Sequence, residues 1–293
     1  MDYLRRLPRL EYLAPGTLEE ACSLLSTHGD EARLLAGGTD LLPQIKRREQ
    51  HPRYLIGLKA VPGLDHIDFE PSRGLRIGAL ATLGAVAGSP PVREHFGVLA
   101  QAILTMASPQ VRNLGTVAGN LCHASPAADT ASPLIALGAN LQLVSPVGKR
   151  SVPVEEFFQG AHRTVLGDDE LVAEIQVPPP IPYSAGVYLK HTRRGAMDLA
   201  IVGVAVLLTM EVGVCREARI VLGAVAPTPI RAIGAESRLR GEKPDERLLE
   251  EAAALAAGAA RPVTDIRGSA EYRREMVVVI ARRALAGALQ KAL

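Results

Sequence analysis

The apolar positions change period along the chain, and each change marks an element. Thr17-Leu18-Glu19-Glu20 has the form of a capping box. Leu18, Ala21, Leu24 and Leu25 follow at helical spacing until Gly29 closes the run. A short apolar run over 33–36 predicts a strand, 41–48 a helix with a solvated Lys46-Arg47-Arg48 end, and Tyr54-Leu55-Ile56-Gly57-Leu58 a second strand. Strand, helix and strand in that order predict a small α/β lobe over 1–60.

From Gly63 the pattern predicts a second lobe, ending near 180. Leu75 to Ala79 is strand-like, and Val92 to Ala107 places Val92, Phe96, Leu99, Ala100 and Ile103 on one helical face. Leu134 to Leu137 continues a buried helix, ended by Gly138. Runs 141–144 and 150–153 flank Ser145-Pro146-Val147-Gly148 and predict a hairpin. Leu171, Ala173, Ile175 and Val177 alternate with polar neighbours, the mark of a half-exposed strand. Pro178, Pro179, Pro180 and Pro182 then stop the chain and suit a stiff domain boundary.

The C-terminal third, 183–293, predicts a separate α+β domain. Periodicity leaves Leu199 to Met210 open between buried helix and strand, and its Val, Ile and Gly content favours strand. Arg219 to Ala226 is another strand. Leu248 to Ala260 and Ala270 to Ala292 are Ala- and Leu-rich with charged faces, hence helical. In the last run the apolar positions wander around the circumference, which predicts packing on more than one face.

Composition narrows the function classes. Of 293 residues, 47% are hydrophobic but only 3% aromatic with no Trp, so the core is aliphatic and Ala-rich. A net charge of +2 gives no single-sign field for nucleic acid or a membrane surface. No apolar run reaches the roughly 18 residues a membrane helix needs. Met1 to Arg6 leads into Pro8 and Glu11 without a signal pattern, so the expected location is cytoplasmic, with no membrane insertion. Cys22, Cys122 and Cys215 are far apart and form no iron–sulfur or zinc set. Cys122 is read as a small buried residue, and His123 and His162 as structural.

Two stretches resist both periodicities. Ser108 to Asp129 is too rich in Gly, Asn, Ser and Pro for a helix or a central strand, yet too apolar for a linker. Gly115 and Gly119 would tolerate positive φ and leave room for a ligand beside the main chain. Successive amides would suit phosphate, Thr116 and Asn120 would add hydrogen bonds, and Asp129 would accept from sugar hydroxyls. Alone, this stretch fits a structural turn equally well. The second is Leu34-Leu35-Ala36-Gly37-Gly38-Thr39-Asp40-Leu41, where a strand and a glycine pair run into a helix N-terminus. Two such turns can clamp the two phosphates of one dinucleotide.

These paired motifs, AGGTDLLP and QVRNLGTVAGNLCHASPAAD, closely resemble those of the FAD-binding medium subunit of molybdenum hydroxylases, the carbon monoxide dehydrogenase and xanthine dehydrogenase type. Ile77-Gly78-Ala79 with Thr82, the segment 223–232 and the segment 265–274 match further family stretches in the right order. Many members carry two glycines where this chain has Ala118-Gly119, so Ala118 must have negative φ. The resemblance implies an α+β fold: a two-lobed FAD-binding domain of the vanillyl-alcohol-oxidase/PCMH type, then an α+β C-terminal domain. It implies FAD contacts from Leu34 through Leu41, from Met106, from Thr116, Val117, Ala118, Gly119 and Asn120, and from Asp129, Val172 and Lys190. Lys190 would lie near the flavin ring, where a cation stabilises negative charge on the reduced isoalloxazine.

The implied partners are a molybdopterin-binding large subunit and a [2Fe-2S] small subunit, with electrons passed on to an external acceptor. No side chain is expected to be a general acid or base, and no metal ligands are expected. The alternative is a free-standing FAD-dependent oxidoreductase of the same fold. That reading expects aromatic substrate walls, and this chain is aromatic-poor.

Overall fold

A computed structural model describes residues 7–195 and 197–292, so the reading of Met1 to Arg6 lies outside it. In lobe 1, β1 (Glu11–Leu13), α1 (Leu18–His28), β2 (Ala32–Leu35), α2 (Leu41–Arg47) and β3 (Tyr54–Gly57) form a parallel sheet in the order β1-β3-β2 with its helices. The Thr17 hydroxyl accepts from the Glu20 N–H, the Glu20 carboxylate accepts from the Gly16 N–H, and Gly29 ends α1 at φ 48°. Strand β1 was not foreseen, because Glu11 and Tyr12 are exposed and leave no alternation to read.

Lobe 2 begins with the strands β4 (Ile67–Glu70) and β5 (Gly74–Gly78) and the helices α3 (Leu83–Gly88), α4 (Pro90–His95) and α5 (Gly97–Leu104). Next come α6 (Pro109–Arg112), α7 (Val117–His123), α8 (Ala131–Ala136), the hairpin β6 (Asn140–Ser145) and β7 (Gly148–Pro153), and α9 (Val154–Phe157). The small hairpin β8 (Phe158–Gly160) and β9 (Arg163–Thr164) precedes β10 (Leu171–Val177). Strands β4-β5-β10-β6-β7 form one antiparallel sheet.

Three expectations change here. The helix over 92–107 is two helices, broken where Phe96 turns out of helical geometry at φ −128°, ψ 39° to sink its ring into the core. The stretch 108–129 is not all loop: Ser108 and Thr116 each cap a short helix with their hydroxyls. Strand β10 is central and mostly buried, not half-exposed. Its polar Glu174 is buried because Arg76 (2.6 Å) and His66 (2.9 Å) bond its carboxylate.

Beyond the prolines, β11 (Ser184–His191), β12 (Val202–Glu211), β13 (Val214–Gly223) and β14 (Ile230–Arg231) make an antiparallel sheet, followed by α10 (Ile233–Leu239), α11 (Glu246–Ala259) and α12 (Ala270–Ala292). Val204, Val206, Ile220 and Leu222 pack on these helices, while Tyr188, Ala205 and Val221 join the core of lobe 2. Both sheet faces are therefore covered, which is why 199–210 reads as an unbroken apolar run. At the seam, a Cβ on Gly186 would lie 2.9 Å from that of Val98, so the bare backbone lets α5 lie against β11. The expected packing of α12 on more than one face is borne out. Its fully buried residues Arg273, Val277, Ile280, Ala281, Ala284, Leu285 and Ala288 follow one stripe, and the partly buried Met276, Val278 and Leu289 widen it. The helix lies against both α11 and the strands β11 and β12.

Candidate cofactor cleft

A cleft of ≈ 1340 Å³ opens between the lobes and the C-terminal sheet. The turn after β2 forms one wall. Gly38 there has φ +71°, open only to glycine without strain. Gly37 is constrained differently: a Cβ on it would overlap the Leu114 carbonyl and lie 2.8 Å from the Gly115 Cα. The two glycine turns thus touch main chain to main chain. Gly115 and Gly119 do not take the positive φ expected of them. Gly115 sits in the turn contact, and Gly119 lies within α7, its N–H held at 3.0 Å by the Thr116 hydroxyl. Ala118 is helical and buried, so its methyl is accommodated as required.

Among the described residues, no protein acceptor takes the backbone N–H groups of Gly37, Gly38, Thr39 or Asp40. Asp40 stands at the N-cap of α2, its carbonyl accepting from the Gln44 N–H while its side chain makes no cap bond. Across the turn contact, the Asn120 Oδ1 accepts from the Thr130 hydroxyl (2.6 Å), which leaves its amide N–H₂ to donate elsewhere. This wall offers donors and little fixed charge, as an anionic diphosphate requires.

The inner end is built from side chains. The Asp129 carboxylate accepts from Lys190 Nζ (2.8 Å) and from the Tyr188 hydroxyl (2.5 Å), and all three side chains are buried. Lys190 also donates to the Thr105 carbonyl (3.3 Å). Burial pushes the Asp129 carboxyl above its usual range, and the Lys190 ammonium and Tyr188 hydroxyl only partly oppose it. Burial and the adjacent carboxylate push the Tyr188 phenol well up, so it remains a donor. The ammonium is therefore compensated by a carboxylate within the protein.

Residues 8–180 match the family model for the FAD binding domain in molybdopterin dehydrogenase, and 187–288 match that for the CO dehydrogenase flavoprotein C-terminal domain. The chain belongs to the flavoprotein family of the molybdenum hydroxylases. It is 37% identical to the carbon monoxide dehydrogenase medium chain of Hydrogenophaga pseudoflava, over 95% of this chain and 96% of that one. It is 30% identical to the xanthine dehydrogenase FAD-binding subunit of Escherichia coli O157:H7, covering 96% of each. Among solved structures, carbon monoxide dehydrogenase from H. pseudoflava superposes with a TM-score of 0.93 at 37% identity, over 97% of this chain and 98% of that chain. Quinoline 2-oxidoreductase from Pseudomonas putida 86 does so with a TM-score of 0.92 at 33% identity, over 98% and 99%.

In this flavoprotein the fold brings together all but one of the residues singled out in the sequence. Leu34 through Leu41, Met106, Thr116, Ala118, Gly119, Asn120, Asp129, Val172 and Lys190 line the cleft. Val117 does not, since its side chain is fully buried in the lobe 2 core. Cys122, expected in the core, is open to the cleft. His123 and His162, read as structural, line the same cleft.

The C-terminal wall was missed. Ala224 sits in a left-handed conformation at φ +64°. Its N–H donates to the Pro126 carbonyl (2.8 Å) and its carbonyl accepts from Arg273 Nη1 (2.9 Å). Arg273 is buried and pairs with Asp265 (2.6 Å). This strut ties the loop carrying Asp129 to the start of α12. The available signal was that segments 223–232 and 265–274 matched the family without an assigned role.

Proposed function

We propose that the chain binds FAD in this cleft as the electron-transfer subunit of a molybdenum hydroxylase. It would receive electrons from iron–sulfur clusters on a [2Fe-2S] small subunit, reduced by a molybdopterin-binding large subunit, and deliver them to an external acceptor. The observation that carries the reading is the pairing of free N–H groups at 37–40 with a buried, charge-compensated Asp129–Lys190–Tyr188 group across one cleft. Bound FAD supplies the redox chemistry by taking up and releasing electrons. The turn at 37–40 and Asn120 would hold the diphosphate, with Met106, Val172 and the remaining cleft residues walling the rest. Lys190 would orient and electrostatically tune the ring end while Asp129 limits its net charge.

The separate sheets β1-β3-β2 and β4-β5-β10-β6-β7 support lobes over 1–60 and 61–180, and the family matches, which end at 180 and resume at 187, support a C-terminal domain over 183–293. No helix among the described residues is long and apolar enough to cross a membrane. Three free cysteines suit the cytoplasm, where we place the protein.

The test is to denature the purified chain, identify the released flavin by chromatography, and assay it with and without the two partner subunits. FAD release, and dehydrogenase activity only in the assembled complex, is the expected result. FMN, or no flavin after reconstitution, would overturn the cofactor assignment. Substrate turnover by the isolated chain would favour the free-standing oxidoreductase.

A further inference from the structure

The Arg and Lys side chains of the cleft are already committed to protein partners. Lys190 pairs with Asp129, Arg273 and Arg267 with Asp265, Arg261 donates to the Gly258 and Ala259 carbonyls, and Arg33 to Gln50 and nearby carbonyls. A diphosphate beside the 37–40 turn would therefore meet main-chain donors, the Asp40 carboxylate and two imidazoles. His123 is the last residue of α7, and its Nε2 lies 4.0 Å from Asp40 Oδ1. His162 packs against it, with ring centroids 4.8 Å apart.

The backbone is arranged to put His162 there. It sits in the two-residue turn between β8 and β9, in the left-handed region at φ +58°, and Ala124 opposite it has φ +48°. Non-glycine residues held so are strained, and the surroundings must hold them in place. Here the His162 N–H donates to the Ala124 carbonyl (2.8 Å), and the ring Nδ1 lies 3.0 Å from the His123 carbonyl. A carbonyl only accepts, so Nδ1 carries the proton in the neutral ring. The Nε2 lone pair then has no partner among the described residues, and a second proton would make it a donor.

Resting on the reading of the cleft as a dinucleotide site, we propose that His123 and His162 form a proton-linked grip on the diphosphate, so that binding takes up a proton. Asp40 on one side and the diphosphate on the other both favour the imidazolium. Two rings this close charge one at a time, so one proton is expected. Cys122, the remaining titratable group beside them on α7, has its thiol pushed up to about 12 and stays neutral. Arg163, next in the hairpin, is charged throughout. Burial and the neighbouring His162 hold His123 below the ordinary imidazole range, with Asp40 opposing, so there is a proton to gain.

The test measures Kd by flavin fluorescence quenching from pH 6 to pH 8.5 on full-length apoprotein, with FAD and with ADP-ribose as competitor. ADP-ribose carries the diester diphosphate without the flavin and takes up no proton in this range. For the unmodified chain, affinity should fall about tenfold across the range with both ligands, as one linked proton requires. In His123→Gln/His162→Asn the curve should be flat, at the weaker level. Asn tolerates the left-handed backbone, and its amide can keep the bond to the His123 carbonyl. Equal thermal unfolding of the variant and the unmodified chain shows that the fold is intact. A flat curve for the unmodified chain, or a slope retained in the double variant, overturns the grip while leaving the FAD reading in place. A slope with FAD but not with ADP-ribose overturns it too, because the titrating group would then face the flavin. No FAD binding at any pH overturns the cleft reading and the grip together.

Discussion

At the outer end of the cleft, two glycine turns meet backbone to backbone and present main-chain N–H groups with little fixed charge. At the inner end, Asp129, Lys190 and Tyr188 bury two opposite charges and a phenol within hydrogen-bonding distance. The first region turns on bare main chain, and the second on side chains. A backbone site fails when something is added to it, whereas a buried charge group fails when one member is removed. The two regions should therefore respond to mutation in opposite ways.

The largest effect is expected at the inner end. Lys190→Met leaves Asp129 buried without its cation and should cost roughly 3 kcal/mol of stability at neutral pH by chemical denaturation. Adding Asp129→Asn to that variant should recover most of the loss, because no unpaired charge then remains. Equal losses in the single and double variants would mean that the pair contributes packing only. The reduction potential should fall in Lys190→Met and rise in Asp129→Asn, since each leaves the other charge uncompensated beside the flavin.

At the outer end, Gly37→Val should cost about 2 kcal/mol by overpacking against the Leu114 carbonyl and abolish flavin retention, read as absorbance per chain. Full flavin occupancy would show that the turns can separate and still hold the cofactor. Thr116→Val keeps the shape but removes the cap of α7. It should cost about 1 kcal/mol, with flavin retained at reduced affinity in titration.

The smallest effect is a pH dependence. Burial raises the Asp129 carboxyl in the native state, so the folded chain holds that proton more tightly than the unfolded one. Its contribution to stability is complete below the ordinary Asp value and is lost as pH rises through the native value. The stability of the unmodified chain relative to Asp129→Asn should fall over that window. A difference that grew with pH would mean that the ammonium outweighs burial.

The outer end was legible for a physical reason. A turn that bars a Cβ or needs positive φ must spend Gly37 and Gly38 in a row, so the constraint is written locally. What those glycines do was not legible. Gly115 and Gly119 look like residues for positive φ and for ligand space, but neither takes positive φ: one permits a close approach of two turns and the other lies inside a helix. Helices α6 and α7 were hidden because their capping residues, Ser108 and Thr116, are the same residue types that mark loops. The C-terminal wall was hidden because Arg273 looks like any charged residue on a helix, and only the fold buries it beside Ala224 and Asp265.

By itself the sequence determined the succession of lobes, most of the strands and helices, the two glycine turns and, through the order of its motifs, the family. These follow from local period, turn chemistry and main-chain sterics, each confined to a few consecutive residues. Only the tertiary structure decided that Lys190 is compensated by Asp129, that the C-terminal sheet is buried on both faces, and that His123 and His162 face the cleft. Each of these joins residues far apart in the chain, and charge compensation or burial depends on distance in space, which no local pattern encodes.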